Sequence, residues 1–171
     1  MAKFEIAIEK TLFLEGGGKV VNDRFDPGGL TRWGISKASY PELDISSLTK
    51  EQAVSLYKHD FWHPLYEQIE SQEVANELFD FGVNTSARGW PKTAVRIFQE
   101  ALQYFHPHLQ ADGYFGPATL ILTNATVASS LLGEFRACQA YYYAQIVIRQ
   151  ADAKEEEKKR FLKGWLRRVM A

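Results

Sequence analysis

The stretch from Phe13 to Ile35, FLEGGGKVVNDRFDPGGLTRWGI, holds six of the chain's twelve glycines, three of them in an unbroken run directly behind one acid, Glu15. Ahead of it Phe4, Ile8 and Leu12 recur at helical spacing, and Glu15 falls three residues after Leu12 on the same side of that cylinder. Ile6 and Phe13 place apolar groups on the other side as well. From Lys19 onward the pattern changes to short extended pieces broken by NDRFDPGG, whose Asn, Asp, Pro and Gly are turn formers, and this predicts a small β-hairpin. Two readings of Glu15 follow. Glycines behind it would end the helix and keep side chains out of the space where an extended substrate approaches, so the acid could stand at the lip of an open cleft. Set against apolar surface, its charged form would be disfavoured, which a proton donor at neutral pH requires. Equally, it could be a glutamate at a helix end followed by a glycine cap; spacing alone leaves the two even.

The rest of the chain reads as mostly helical. SLTKEQAVSLYKHDFW begins with a capping-box pattern, Thr49 and Gln52, and its helix must stop by Pro64. SQEVANELFDFGVN and WPKTAVRIFQEALQYF each carry apolar residues at three- and four-residue steps, with TSARG between them as a loop. HPHLQADGYFGPAT is another irregular connection, with helix initiation near Pro117, and the segments 120–128, 130–149 and 155–169 complete a helical second half. The fold class expected is mainly α (α+β), a helical bundle with one hairpin near its start. Residues 1–68 form an N-terminal lobe with the acid and the hairpin, residues 69–171 a helical lobe, and the two share one core.

Composition bounds the function. With 171 residues, 46% of them hydrophobic and 13% aromatic, the chain can bury a sizeable core unaided. A net charge of −1 removes the electrostatic footprint of a nucleic-acid binder. The single cysteine, Cys138, excludes an internal disulfide and reads as a small apolar residue of a helix rather than a catalytic thiol. Glu5 and Glu9 interrupt any signal-peptide core, and no stretch approaches the roughly 20 apolar residues that span a bilayer, so stable membrane insertion is not expected.

EGGGKVVNDRFDPGGLTRWGI resembles the signature of glycoside hydrolase family 108, N-acetylmuramidases first described as secretion activators, whose pattern is E-G-G, then V-N-D, then D-x-G-G-x-T-x-x-G-I. Glu15, Gly16, Gly17, Val21, Asn22, Asp23, Asp26, Gly28, Gly29, Thr31, Gly34 and Ile35 match it. Gly18-Lys19-Val20 departs from the family's usual aromatic residue after E-G-G. FDFGVNTSARGWPKTAVRIFQEAL, LQADGYFGPATL and FLKGWLRRV are similar to the family's C-terminal part, a predicted peptidoglycan-binding region, so the likeness runs nearly the full length. The resemblance implies a lysozyme-like fold and a peptidoglycan hydrolase in which Glu15 protonates the glycosidic oxygen between N-acetylmuramic acid and N-acetylglucosamine. Asp26 is then the first choice for the group that activates water or stabilises positive charge, with Asp23 second, and Thr31 resembles the hairpin threonine that positions water in phage-type lysozymes. For either aspartate an Asx-turn holding the loop is the alternative, and at Asp23 the stronger one. No metal or organic cofactor is implied. The partner is the glycan strand in the periplasm or cell wall, reached from the cytoplasm through a holin or a secretion system.

Other constellations carry less. His59 and His63 stand four apart, but no glutamate follows His59 and Pro64 breaks the helix, so packing outweighs a metal site. Trp33, Phe61, Trp62, Tyr66 and Trp90 could stack on sugar faces or fill a core, with Trp33 preferred for substrate because it lies in the hairpin. Asp80 and Asn84 share one helix face and could form the opposite cleft wall, or pair at the helix end. Phe161, Leu162, Trp165, Leu166 and Val169 give the last helix an apolar side that suits sealing a core better than touching a membrane.

Overall fold

The computed structural model describes residues 1–14, 18–22, 28–86, 88–149 and 155–170. Helix α1 (Phe4–Leu14) leads into an antiparallel sheet of three short strands, β1 (Val21–Asn22), β2 (Leu30–Arg32) and β3 (Ile35–Ser36), in the order β1-β2-β3. Among the described residues six α-helices follow: α2 (Lys50–Phe61), α3 (Gln72–Thr85), α4 (Lys92–Gln103), α5 (Pro117–Ala125), α6 (Ala128–Arg149) and α7 (Glu155–Val169). The fold is mainly α with a small sheet near the N-terminus, as the sequence predicts. The expected hairpin gains a third strand because Trp33 and Gly34 make a tight turn between β2 and β3.

Phe4, Ala7, Ile8, Thr11 and Leu12 are all buried along one stripe of α1, whereas Glu5 and Ile6 face solvent. α2 starts on a complete capping box, Gln52 N–H donating to Thr49 Oγ1 at 3.2 Å and Thr49 N–H to Gln52 Oε1 at 2.9 Å. It ends at Phe61, two residues short of His63, which caps the 3-10 turn begun by Pro64. α5 begins at Pro117, where helix initiation is expected, because proline's fixed φ suits a first helical turn behind Gly116.

Helix α3 is the axis of the molecule, packing against α1, α2, α4 and α6. Its Phe79, fully buried, meets the ring of Phe4 at 5.6 Å and that of Trp62 at 5.7 Å, both edge-on. On the far side Ala94, Val95, Phe98, Ala101 and Leu102 form the inner face of α4, and Phe98 meets Phe135 of α6 at 5.0 Å. One hydrophobic core therefore runs from α1 to Val169 of α7. The sheet is tied to it by buried Ile35 of β3 and by Tyr57 of α2, which sets where the hairpin turn stands.

Candidate active site

Strand register pairs Val21 with Thr31 and Asn22 with Leu30, then Thr31 with Ser36 and Arg32 with Ile35. That leaves Trp33 and Gly34 as a two-residue turn with φ of 55° and 75°. Positive φ at both positions is the type I′ geometry whose twist matches the strands. Glycine adopts it freely; a tryptophan does so only at a cost that its surroundings must offset. Two contacts hold Trp33 there. The Tyr57 hydroxyl donates to the Trp33 carbonyl at 3.0 Å, and the indole lies directly on Gly18, where a Cβ would stand 2.4 Å from Cζ2 and 2.7 Å from Cη2.

The third glycine behind Glu15 is thus explained by close approach rather than by backbone freedom, for Gly18 does not occupy the left-handed region. Arg32 fastens the same residue from the other side, Nε donating to the Gly18 carbonyl at 3.1 Å while Nη1 donates to the Ser46 carbonyl at 2.7 Å. Chain emerging from the acid and the first two glycines is pinned to the tip of the sheet. Thr31, partly buried in the middle strand, donates its hydroxyl to the Gly29 carbonyl at 3.1 Å. Glu15, Asp23 and Asp26 lie outside the described residues.

Asp80 and Asn84 do share one face of α3, and that face turns toward other helices. Asp80 Oδ1 accepts from the Thr11 hydroxyl at 3.0 Å and from Arg168 Nη2 at 2.9 Å, and Oδ2 accepts from Arg168 Nε at 2.8 Å. This is a two-pronged guanidinium–carboxylate pair, with side chains only 13% and 18% exposed. Asn84 donates through Nδ2 to the hydroxyl of Tyr143, whose ring stacks on Trp165 at 4.9 Å and 14°. Burial pushes the Tyr143 hydroxyl up to about 12, so it stays protonated at any ordinary pH.

The two histidines of HDFWH serve different neighbours. His59 Nδ1 stands 2.6 Å from Asp60 Oδ1, and the other oxygen of Asp60 accepts from the Tyr40 hydroxyl at 2.6 Å. Burial, with the Asp60 contact second, raises the Tyr40 phenol above its usual range. His63 Nδ1 accepts from the Leu65 N–H at 3.2 Å and its ring meets Trp90 at 5.0 Å, with burial lowering its proton affinity. Among the described residues no three metal-ligating side chains gather. Phe61, Trp62 and Tyr66 belong to the core, while Trp90 is at the surface, fixed by Nε1 donating to the Gly113 carbonyl at 3.0 Å.

A concave surface lies in the C-terminal half. An open cavity of about 790 Å³ is bordered by Phe105, His106, Leu109, Tyr114, Pro117 and Leu122. Buried Gln99 builds its wall: Nε2 donates to Asp112 Oδ1, the Tyr114 carbonyl and Thr119 Oγ1 at 3.0, 3.0 and 3.1 Å, and Oε1 accepts from the Gly113 N–H at 2.8 Å. Sequence reasoning missed Gln99, Arg32, Tyr57 and Arg168. For Gln99 one signal existed, a polar residue standing among the apolar positions of α4. Arg32, Tyr57 and Arg168 reach partners 14, 24 and 88 residues away, which no local pattern reveals.

Comparison with known proteins gives these features a context. Residues 8–85 match the family described as glycosyl hydrolase 108, and residues 93–170 match one described as a predicted peptidoglycan domain. Among solved structures, SagA from Brucella abortus has a TM-score of 0.74 over 98% of this chain and 89% of that chain at 23% identity, a likeness of fold. No curated protein matches. The mainly α, lysozyme-like architecture and a peptidoglycan-related function are supported together.

Proposed function

We propose, for a chain that belongs to the glycosyl hydrolase 108 family and carries a predicted peptidoglycan domain, that it is a muramidase cleaving the β-1,4 bond between N-acetylmuramic acid and N-acetylglucosamine. Glu15 is the general acid that protonates the leaving glycosidic oxygen. Asp26 supplies the second carboxylate, activating water or stabilising positive charge at the sugar, with Thr31 positioning that water. Asp23 holds the loop at the substrate's edge, and Trp33 shapes the site from the turn. Proton transfer asks for a carboxyl held in one place. The observation that carries the reading is the fastening on both sides of the Glu15–Gly17 segment: the buried stripe of α1 before it, Arg32 and Trp33 gripping Gly18 behind it.

Replacing Glu15 by Gln preserves shape and removes the proton. Clearing of purified peptidoglycan should fall about 10²–10⁴-fold at an unchanged melting temperature. Borohydride reduction after digestion by the parent protein should label muramic acid ends. Wild-type clearing by Glu15→Gln would sink the assignment, and glucosamine ends or free peptide amines would change the bond.

The match over residues 93–170 and the open groove inside it favour one other reading, a non-catalytic peptidoglycan-binding or secretion-accessory protein. Binding without clearing by the parent protein would select it. Action in the periplasm or cell wall, reached through a holin or a secretion system, belongs to the same proposal; among the described residues no helix is long and apolar enough to cross a membrane.

A further inference from the structure

We infer that Arg168, in the last turn of α7, is a positioning residue for the acid proposed at Glu15, acting through Asp80 and Thr11. The inference rests on the muramidase reading and adds a dependence between the two matched domains, since Thr11 and Asp80 fall in residues 8–85 and Arg168 in residues 93–170. Thr11 is fully buried in the last turn of α1, four residues before Glu15. Its hydroxyl is fixed by Asp80 at 3.0 Å, and Asp80 is gripped on both oxygens by Arg168 at 2.8 and 2.9 Å. The chain of contacts therefore ends at Thr11, four residues before the proposed acid in the sequence.

The pair is not what attaches α7. Val169 is buried, Leu162 and Trp165 pack on the core, and Trp165 stacks on Tyr143. Set among such apolar contacts, a largely buried ion pair contributes little net stability over well-packed apolar residues. What it supplies is direction, because a guanidinium fork meets a carboxylate in one plane and at one distance. Held this way, Asp80 fixes the rotation of the last turn of α1, the described segment just ahead of Glu15 in the sequence, and a misplacement of about 1 Å at a reacting group is worth about 100-fold in rate.

The experiment compares the intact protein with Arg168→Lys, which keeps the charge and loses the fork, with Arg168→Gln, and with Thr11→Val, which keeps the shape and loses the hydroxyl. Turnover on purified peptidoglycan is measured beside thermal melts and corrected for the folded fraction. Arg168→Gln should lower kcat about 10- to 100-fold with KM unchanged. Arg168→Lys should recover part of it, and Thr11→Val should resemble Arg168→Lys. If Arg168→Gln fails to fold, the two milder variants decide. Wild-type kcat in Arg168→Lys and Thr11→Val would overturn the inference, as would a rise in KM with kcat intact. Activity of the parent against Glu15→Gln is the separate control: equal activity there sinks the muramidase reading, whereas an active parent with unaffected variants sinks this inference alone.

Discussion

Gly18→Ala adds a single methyl group, and the structure fixes where it must go. The new Cβ would stand 2.4 Å from Cζ2 of Trp33, where carbon atoms ordinarily approach to about 3.5–4.0 Å, so one side must retreat by roughly 1 Å or more. Trp33 is restrained, its carbonyl held by Tyr57 and its side chain packed against the core. Gly18 is held through its own carbonyl by Arg32. Overpacking of this kind costs about 1–3 kcal/mol. For a chain of this length each kcal/mol lowers Tm by about 2–4 °C, so a fall of about 2–12 °C is expected in a thermal melt. Because Gly18 is not in the left-handed region, the penalty is steric alone and must vanish once the ring is gone. Gly18→Ala in a Trp33→Ala background should cost nothing further, a coupling of about 1–3 kcal/mol in a double-mutant cycle. The reasoning is refuted if Gly18→Ala melts with the parent, or if its penalty is the same in both backgrounds.

Three further outcomes are expected. Burial, and then the nearby Glu134, push the Cys138 thiol up to about 11, so only about a thousandth of it is thiolate at pH 8; labelling with a thiol reagent should be slow in the native protein and rapid on unfolding. Burial lowers the proton affinity of His63, so folding expels its proton: that stability is full above about pH 6.5 and is lost as pH falls through the lowered native value. His63→Asn keeps an acceptor for the Leu65 N–H and should flatten the fall of Tm between about pH 7 and pH 5. For the aspartates, Asp26→Asn should lose turnover more than stability and Asp23→Asn the reverse; an inactive but stable Asp23→Asn beside an active Asp26→Asn would exchange their roles. A separation of about 6.5–9.5 Å between the Glu15 and Asp26 carboxyls would go with inversion at the anomeric carbon, and about 5–5.5 Å with retention.

The helices were legible because their apolar residues repeat at the helical period. Phe4, Ile8 and Leu12 are buried as their spacing predicts, and Thr49 with Gln52 forms the capping box that its pattern announces. The third strand was less legible, since type I′ turns are signalled by Asn-Gly or Asp-Gly and here a tryptophan takes the first position, held by a tyrosine 24 residues away. Asp80 shows where local reading stops. Its spacing from Asn84 located the helix face correctly, but what that face meets depends on Arg168, and a contact spanning 88 residues leaves no trace in either neighbourhood. Gly18 is similar: a run of three glycines suggests backbone freedom, whereas at this one the cause is an aromatic ring approaching from the hairpin.

Gln99 has a consequence for the time scale on which the C-terminal groove exists. Loop amides usually exchange their hydrogens with solvent almost freely, because local opening there costs little. The Gly113 N–H donates to a carboxamide that is 1% exposed and rooted in α4, and the same side chain grips the loop at two other atoms and Thr119 of α5 at a third. To release that hydrogen the helix and the loop must part together. In deuterium oxide Gly113 should therefore exchange with the protection of the α4 amides rather than of its loop neighbours, so the wall of the groove persists for as long as the core does.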